Sequence, residues 1–212
     1  MSFFLKILHN DTIKKGSLFT IYSFVNNVIA FVLLIILAKF LTPKDYGNLN
    51  LFNTLITFTS VFICLNTAGY VGPSYFKFTK GYAKRVLSNV LLISGLIYLF
   101  IIFVLIIFED YFCKFIGISL PYQIMAVSIS CLLVIYNLRL DTLRIEERII
   151  SYGKYSMSYA LVNCCLTIFL IVGLGYNWLG RVYSYLTVVL IFGILLFYIS
   201  LPILQKLKYS QN

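Results

Sequence analysis

The sequence predicts an all-α, polytopic membrane protein with six transmembrane helices. Three observations lead there. Of 212 residues, 61% are hydrophobic and only 11% charged, which leaves too little polar surface to cover a globule in water. The charges cut the chain into six long uncharged runs, 16–38, 46–76, 86–108, 115–138, 155–180 and 182–205. Each run has at least 23 residues, and a helix needs about 20 to cross the hydrocarbon core. Lipid offers no partner to a backbone N–H or C=O, so a crossing segment of this kind must be helical.

In chain order the expected spans are about 17–41, 46–67, 86–108, 118–138 with an extension to 148, 152–174 and 181–203. Residues 1–15 mix apolar and basic side chains, as a short helix lying on a membrane surface does. The first apolar run is longer than the core of a signal peptide and lacks a small-x-small cleavage site, so it reads as span one. The connectors TPKDYG, EDYFCK and GYNWLGR are too short to hold a soluble domain. Tyr176 and Trp178, beside Gly175, fit interfacial anchors at the outer boundary. Residues 206–212 form a tail.

The net charge of +10 is spread over short connectors and builds no basic domain, which argues against nucleic acid. Its distribution reports orientation instead. Lys6, Lys14, Lys15, Lys77, Lys80, Lys84, Arg85, Arg139, Arg144, Arg148, Lys154, Lys206 and Lys208 fall on one side, and only Lys39, Lys44, Lys114 and Arg181 on the other. That bias of 13 to 4 predicts both termini in the cytoplasm.

At 100° per residue the polar residues of several spans share a face. Span one carries Thr20, Ser23 and Asn27; span two carries Tyr46, Asn50, Asn53, Thr57, Ser60, Cys64 and Thr67. Span five carries Tyr152, Tyr155, Ser156, Tyr159, Asn163 and Thr167. Span four runs on into Asn137, Asp141, Arg144 and Arg148, while span three is apolar nearly all round and is expected to face lipid. Ser and Thr on such faces serve helix packing. Asn27, Asn53, Asn163, Asp141, Arg139 and Arg144 point further, because amides and charges inside a membrane face a partner or a wet pathway. Asp141 and Arg144, three apart, are also placed to form a solvated ion pair.

Catalysis and metal binding find little support. The single histidine, His9, precedes span one, so no His dyad or His-based metal cluster falls within the membrane. Cys64, Cys113, Cys131, Cys164 and Cys165 lack C-x-x-C spacing and read as small hydrophobes. There is no P-loop, and Gly173-x-Gly175 lacks the third glycine of a dinucleotide fingerprint. No cofactor is expected.

LAKFLTPKDYGNLNLFNTLITF, Leu37 to Phe58, resembles the stretch joining the first two helices of Wzx-like lipid-linked oligosaccharide flippases, of the multidrug/oligosaccharidyl-lipid/polysaccharide exporter superfamily. Leu37, Ala38, Leu41, Pro43, Asp45, Tyr46 and Gly47 carry the match, and Lys39 stands where that family more often has Arg. LRIEER (Leu143–Arg148) and GLGYNWLGRVYSYL (Gly173–Leu186) are similar to the family's inner extension of the fourth helix and its Gly-Arg start of the sixth. The resemblance covers the whole chain but only the N-terminal half of that architecture.

What it implies is one lobe of a two-lobed transporter with a cationic cavity, in a bacterial cytoplasmic membrane. The cargo would be an undecaprenyl-pyrophosphate-linked oligosaccharide, moved from the inner to the outer leaflet for O-antigen, lipopolysaccharide or capsular polysaccharide synthesis. On that reading Lys39, Arg139 and Arg144 meet the pyrophosphate, Asn27, Asn53, Asn163 and Tyr159 meet sugar hydroxyls, and Asp141 handles a coupling ion. The partners implied are the lipid-linked substrate, membrane lipids, and a second copy or a separately encoded second half. The alternative is a non-transporting membrane subunit or a truncated, inactive fragment.

Overall fold

The computed structural model describes residues 11–64 and 80–206, with side-chain surroundings for 15–64 and 88–195. Among these the secondary structure is helical throughout: α1 Asp11–Phe40, α2 Pro43–Cys64, α3 Lys80–Ile107, α4 Glu109–Ile116, α5 Leu120–Ile145, α6 Ile149–Ile168 and α7 Trp178–Lys206. A π-helical turn, Phe169–Gly173, prolongs α6. Six of these segments, Lys15–Phe40, Pro43–Cys64, Ser88–Ile107, Leu120–Ile145, Ile149–Gly173 and Trp178–Leu195, are long and apolar enough to cross a membrane. The all-helical, six-span expectation therefore holds, with the spans carried by α1, α2, α3, α5, α6 and α7.

Local chemistry explains the breaks. In LTPKDYG, Thr42 caps α2: its hydroxyl donates to Asp45 Oδ2 at 2.6 Å and accepts the Asp45 N–H at 3.2 Å. Pro43 opens the helix, where its missing N–H costs nothing. Gly117, at φ 76°, closes α4 in the left-handed conformation, and its N–H donates to Cys113 O. Pro121 then sits in the first turn of α5.

Some elements differ from the sequence expectation. EDYFCK forms a helix of its own, α4, with no buried residue and with Tyr111 and Phe115 stacked on its outer side. Residues 11–15 continue α1 without a break, and residues 1–10 lie outside the described part. The extension of span four stops at Ile145, because Glu147 takes a φ of 55° and turns the chain into α6. Trp178 is half-buried, packed against Phe52 and Tyr122 at ring-centroid distances of 6.3 and 5.1 Å, so it plugs the bundle end rather than anchoring at its rim. Tyr176 remains exposed.

α5 forms the centre of the bundle, packed on α2, α3, α6 and α7. Its fully covered Ala126, Val127 and Ile129 meet apolar side chains of α2, α3 and α7. Small hydroxyl residues let the helices approach and bond across: Thr59 of α2 meets Ser130 of α5 at 2.7 Å, and Thr167 of α6 meets Ser184 of α7 at 2.7 Å. α1 packs chiefly on α6. There the Phe19 and Tyr152 rings meet at a tilt, centroids 4.4 Å apart, Asn26 donates to Ser156, and the Tyr22 ring lies over Gly153, where a Cβ would fall 2.3 Å from a ring carbon.

Candidate functional site

Two polar regions stand out. The first is a pair of strips, one on α1 and one on α2. Buried residues of α2 are Leu49, Phe52, Ile56, Thr59 and Ile63. One flank beside them, with Leu51, Leu55, Phe58 and Phe62, lines an apolar groove of about 510 Å³ shared with Phe100 and Val104 of α3. The opposite flank carries the predicted strip, with Asn50 and Thr57 exposed and Tyr46, Asn53 and Ser60 half-buried. Thr67 lies outside the described residues.

The hydroxyls of this strip are satisfied within the helix, Thr57 by Asn53 O at 2.9 Å and Ser60 by Thr57 O at 2.8 Å. The side-chain amides of Asn50 and Asn53 bond to no described residue. On α1, Thr20, Ser23 and Asn27 are likewise exposed, and Asn27 bonds to none. Its neighbour Asn26 is the amide that turns inward to α6.

The second region lies between α6 and α7. Arg181, in the first turn of α7, is half-buried and turns its guanidinium inward. Nη1 donates to Asn163 Oδ1 at 2.8 Å and to Thr167 Oγ1 at 2.9 Å. The guanidinium carbon stands 4.8 Å from the centre of the Tyr185 ring. The titratable groups around it are Tyr185, Tyr159 and Cys164, and among the described residues no carboxylate pairs with it. Nε and Nη2 bond to no described residue and are not sealed from the surface. The Tyr159 hydroxyl is sealed and lacks a hydrogen bond of good geometry, although Tyr185 lies beside it.

Depth makes this cluster unusual. Asn163 lies ten residues before Gly173, the last residue of the π turn. At 1.5 Å per residue that is about 15 Å from this end of the bundle, half of a hydrocarbon layer about 30 Å thick.

The other predicted residues are dispersed. Lys39 is exposed, 5.9 Å from its neighbour Phe40's ring centroid, and lies about 100° or more around α1 from the Thr20–Ser23–Asn27 strip. It is thus not gathered with the amides. Arg144 pairs with Asp141 at 3.4 Å, donates to the Tyr152 hydroxyl at 3.2 Å and lies 5.1 Å from the Phe19 ring centroid, so it ties α5 to α6 and α1. Asp141 is engaged by that pair. Arg139 is half-buried with its Nε sealed and without a partner, and it shares no interaction with Arg144.

Tyr159 and Asn163 are brought together with Arg181, which the sequence reading counted only as an orienting charge. Among the described residues no group of three His, Cys, Asp or Glu side chains is placed to hold a metal ion, and none of the five cysteines forms a disulfide. No family model, curated protein or solved structure matches the chain.

Proposed function

We propose that this chain is one lobe of a transporter that moves a polyprenyl-pyrophosphate-linked oligosaccharide across a bacterial cytoplasmic membrane, with both termini in the cytoplasm. The observation that carries this reading is the set of unpartnered amides, Asn27, Asn50 and Asn53, on the surface of two spans. Lipid offers them no hydrogen bond, and leaving such a group unpaired in hydrocarbon costs several kcal/mol. A wet cavity facing a second lobe relieves that cost and supplies the donors and acceptors that sugar hydroxyls need.

The apolar groove on the other flank of α2 suits the substrate's isoprenoid tail, so one helix separates a polar path for the headgroup from an oily path for the tail. Resemblance of the Leu37–Phe58 stretch to the flippases points the same way. The basic bias of the connectors sets the orientation.

The test is reconstitution of the purified protein, in the oligomeric state in which it is recovered, into vesicles holding a fluorescent N-acetylhexosamine on polyprenyl pyrophosphate. Protein-dependent loss of the label from the leaflet in which it started is expected. Retention of the label at the protein-free rate would overturn the proposal.

A further inference from the structure

The geometry points to Arg181 as the binding site of a phosphate-class oxyanion, reached from within the membrane. The guanidinium bonds Asn163 and Thr167, whose backbones lie roughly 15 and 9 Å from the bundle end, and at the centre of a span an arginine costs about 2.5 to 3.5 kcal/mol on insertion scales unless a counter-charge meets it. None of the described side chains supplies one. The bonds it makes do not explain its charge, since Asn163 Oδ1 and Thr167 Oγ1 need only a donor and a neutral amide would serve. What arginine adds is a full positive charge and a second set of N–H groups.

Those groups are the ones left over. With Nη1 held by Asn163 and Thr167, the Nε and Nη2 edge of the planar fork presents parallel donors that match two oxygens of a phosphate. The Tyr185 ring lies against the fork, 4.8 Å from its central carbon, and the Thr167–Ser184 hydrogen bond holds α6 against α7. The first turn of α7 adds the positive end of a helix dipole to the same spot, where an acidic residue would ordinarily be favoured.

As an oxyanion site this rests on the geometry alone. As the subsite for the transported lipid's pyrophosphate it rests on the transport reading above.

The test uses a built-in reporter. Trp178 is the only tryptophan of the chain and stands three residues before Arg181 on the same helix. The full chain in maltoside micelles and phosphate-free buffer, at constant ionic strength, is titrated with inorganic pyrophosphate and separately with farnesyl pyrophosphate. A saturable change in Trp178 emission is expected. Arg181→Gln should raise its midpoint at least tenfold and Arg181→Lys at least threefold, while Lys114→Gln, an exposed cation on α4 at the same end, keeps the wild-type midpoint.

No saturable change with either probe, or an unchanged midpoint in Arg181→Gln, overturns the site. If Arg181→Gln loses its helical circular dichroism, the lysine variant decides, and an unshifted midpoint there overturns it equally. Saturation by farnesyl pyrophosphate at concentrations where inorganic pyrophosphate has no effect identifies a lipid source, and equal midpoints identify a soluble one. A protein that binds through Arg181 yet leaves the vesicle label in place keeps the site and refutes transport. Vesicle transport that survives Arg181→Gln unchanged, with no midpoint shift, does the reverse.

Discussion

Arg181 donates to Asn163 across the α6–α7 interface at 2.8 Å, a cation held by a neutral amide where a carboxylate would satisfy it better. Asn163→Asp tests what that choice is for. A carboxylate at this position would pair with the guanidinium and neutralise it inside the bundle, turning a bond with one charged partner into an ion pair. The expected outcome is a variant with a higher melting temperature in detergent and phosphate binding weakened at least tenfold, read by Trp178 emission. Binding equal to wild type in a stabilised protein would show that Asn163 does not keep the cation available.

The hold on α1 is a separate matter. Gly153 sits where the Tyr22 ring crosses α6, and a Cβ there would fall 2.3 to 2.7 Å from three ring atoms, closer than real contacts allow. Gly153→Ala should therefore lever α1 off α6 and cost about 1 to 3 kcal/mol. Adding Tyr22→Ala should recover much of that loss, because the three atoms nearest the new methyl all belong to Tyr22. Gly47→Ala, with nothing within 4 Å of its new methyl, serves as the clash-free control and should gain up to about 1 kcal/mol from helix propensity. Melting of the four variants in one detergent checks this, and additive losses from Gly153→Ala and Tyr22→Ala would count against the clash.

Between α2 and α5, Ser130 bonds to Thr59 at 2.7 Å and to Ile56 O at 2.9 Å, fully covered. Ser130→Ala removes the hydroxyl and adds no volume at this fully covered position. Thr59 retains bonds to Leu55 O and Ile56 O, so no orphan is left on it. The loss should be about 0.6 kcal/mol and at most about 1.7, the range found for such bonds in membrane proteins. Unfolding in graded SDS measures it, and a loss above about 3 kcal/mol would mean that the hydroxyl does more than tie two helices.

How these features relate to the sequence differs case by case. The spans were legible because lipid imposes a length of about 20 apolar residues, a constraint that composition alone reveals. α4 was not, since eight residues of which six are charged or aromatic give no such signal. The strips on α1 and α2 were legible from their period, and they lie where period alone placed them, on one flank. The site at Arg181 was missed because a cation three residues into a span was read as belonging to the water. A signal was present, however: Thr167 and Ser184 are equidistant from the centre of the α6–α7 turn, so a tight hairpin had to set them face to face. Asn163, one turn further from the loop on the same face of α6 as Thr167, then falls within reach of an arginine at 181. Lys39 shows the converse, a cation inside a recognised motif whose side chain is exposed on the far flank of its helix.

Orientation is open to a direct check. Asp110 is exposed on α4, beyond the end of α3, whereas native Cys113 of the same helix is half-covered and accepts a contact from Gln123 Nε2 at 3.7 Å. In a background with the five native cysteines replaced by serine or alanine, Asp110→Cys should react with a membrane-impermeant maleimide in intact spheroplasts. Reaction only after permeabilisation would place the α3–α4 connector in the cytoplasm and invert the topology drawn from the 13 to 4 charge bias.

The exposed strips on α1 and α2 require a covering surface, and the nature of that surface can be read by cross-linking. Asn27 and Asn53 lie on polar flanks with unsatisfied amides, while Ile106 of α3 is exposed among Leu99, Phe103 and Ile107, apolar neighbours that lipid solvates well. Burial of apolar surface distinguishes neither face, because lipid tails are as apolar as leucine; hydrogen bonds do, because only the amides lack a partner in lipid. Pairing through α1 and α2 thus stabilises the assembly by satisfying amides, and pairing through α3 gains nothing comparable. With both termini on one side, two copies side by side are related by an axis along the membrane normal, the closed C2 arrangement. In the same cysteine-free background, Asn27→Cys and Asn53→Cys should form disulfide or short-linker cross-links in native membranes, either between two copies or to a second six-span chain recovered with this one. Ile106→Cys should not. Cross-links from Ile106→Cys alone would mean that α3, not the amide strip, meets the neighbour, and the cavity proposed between α1, α2 and a second lobe would then have no far wall.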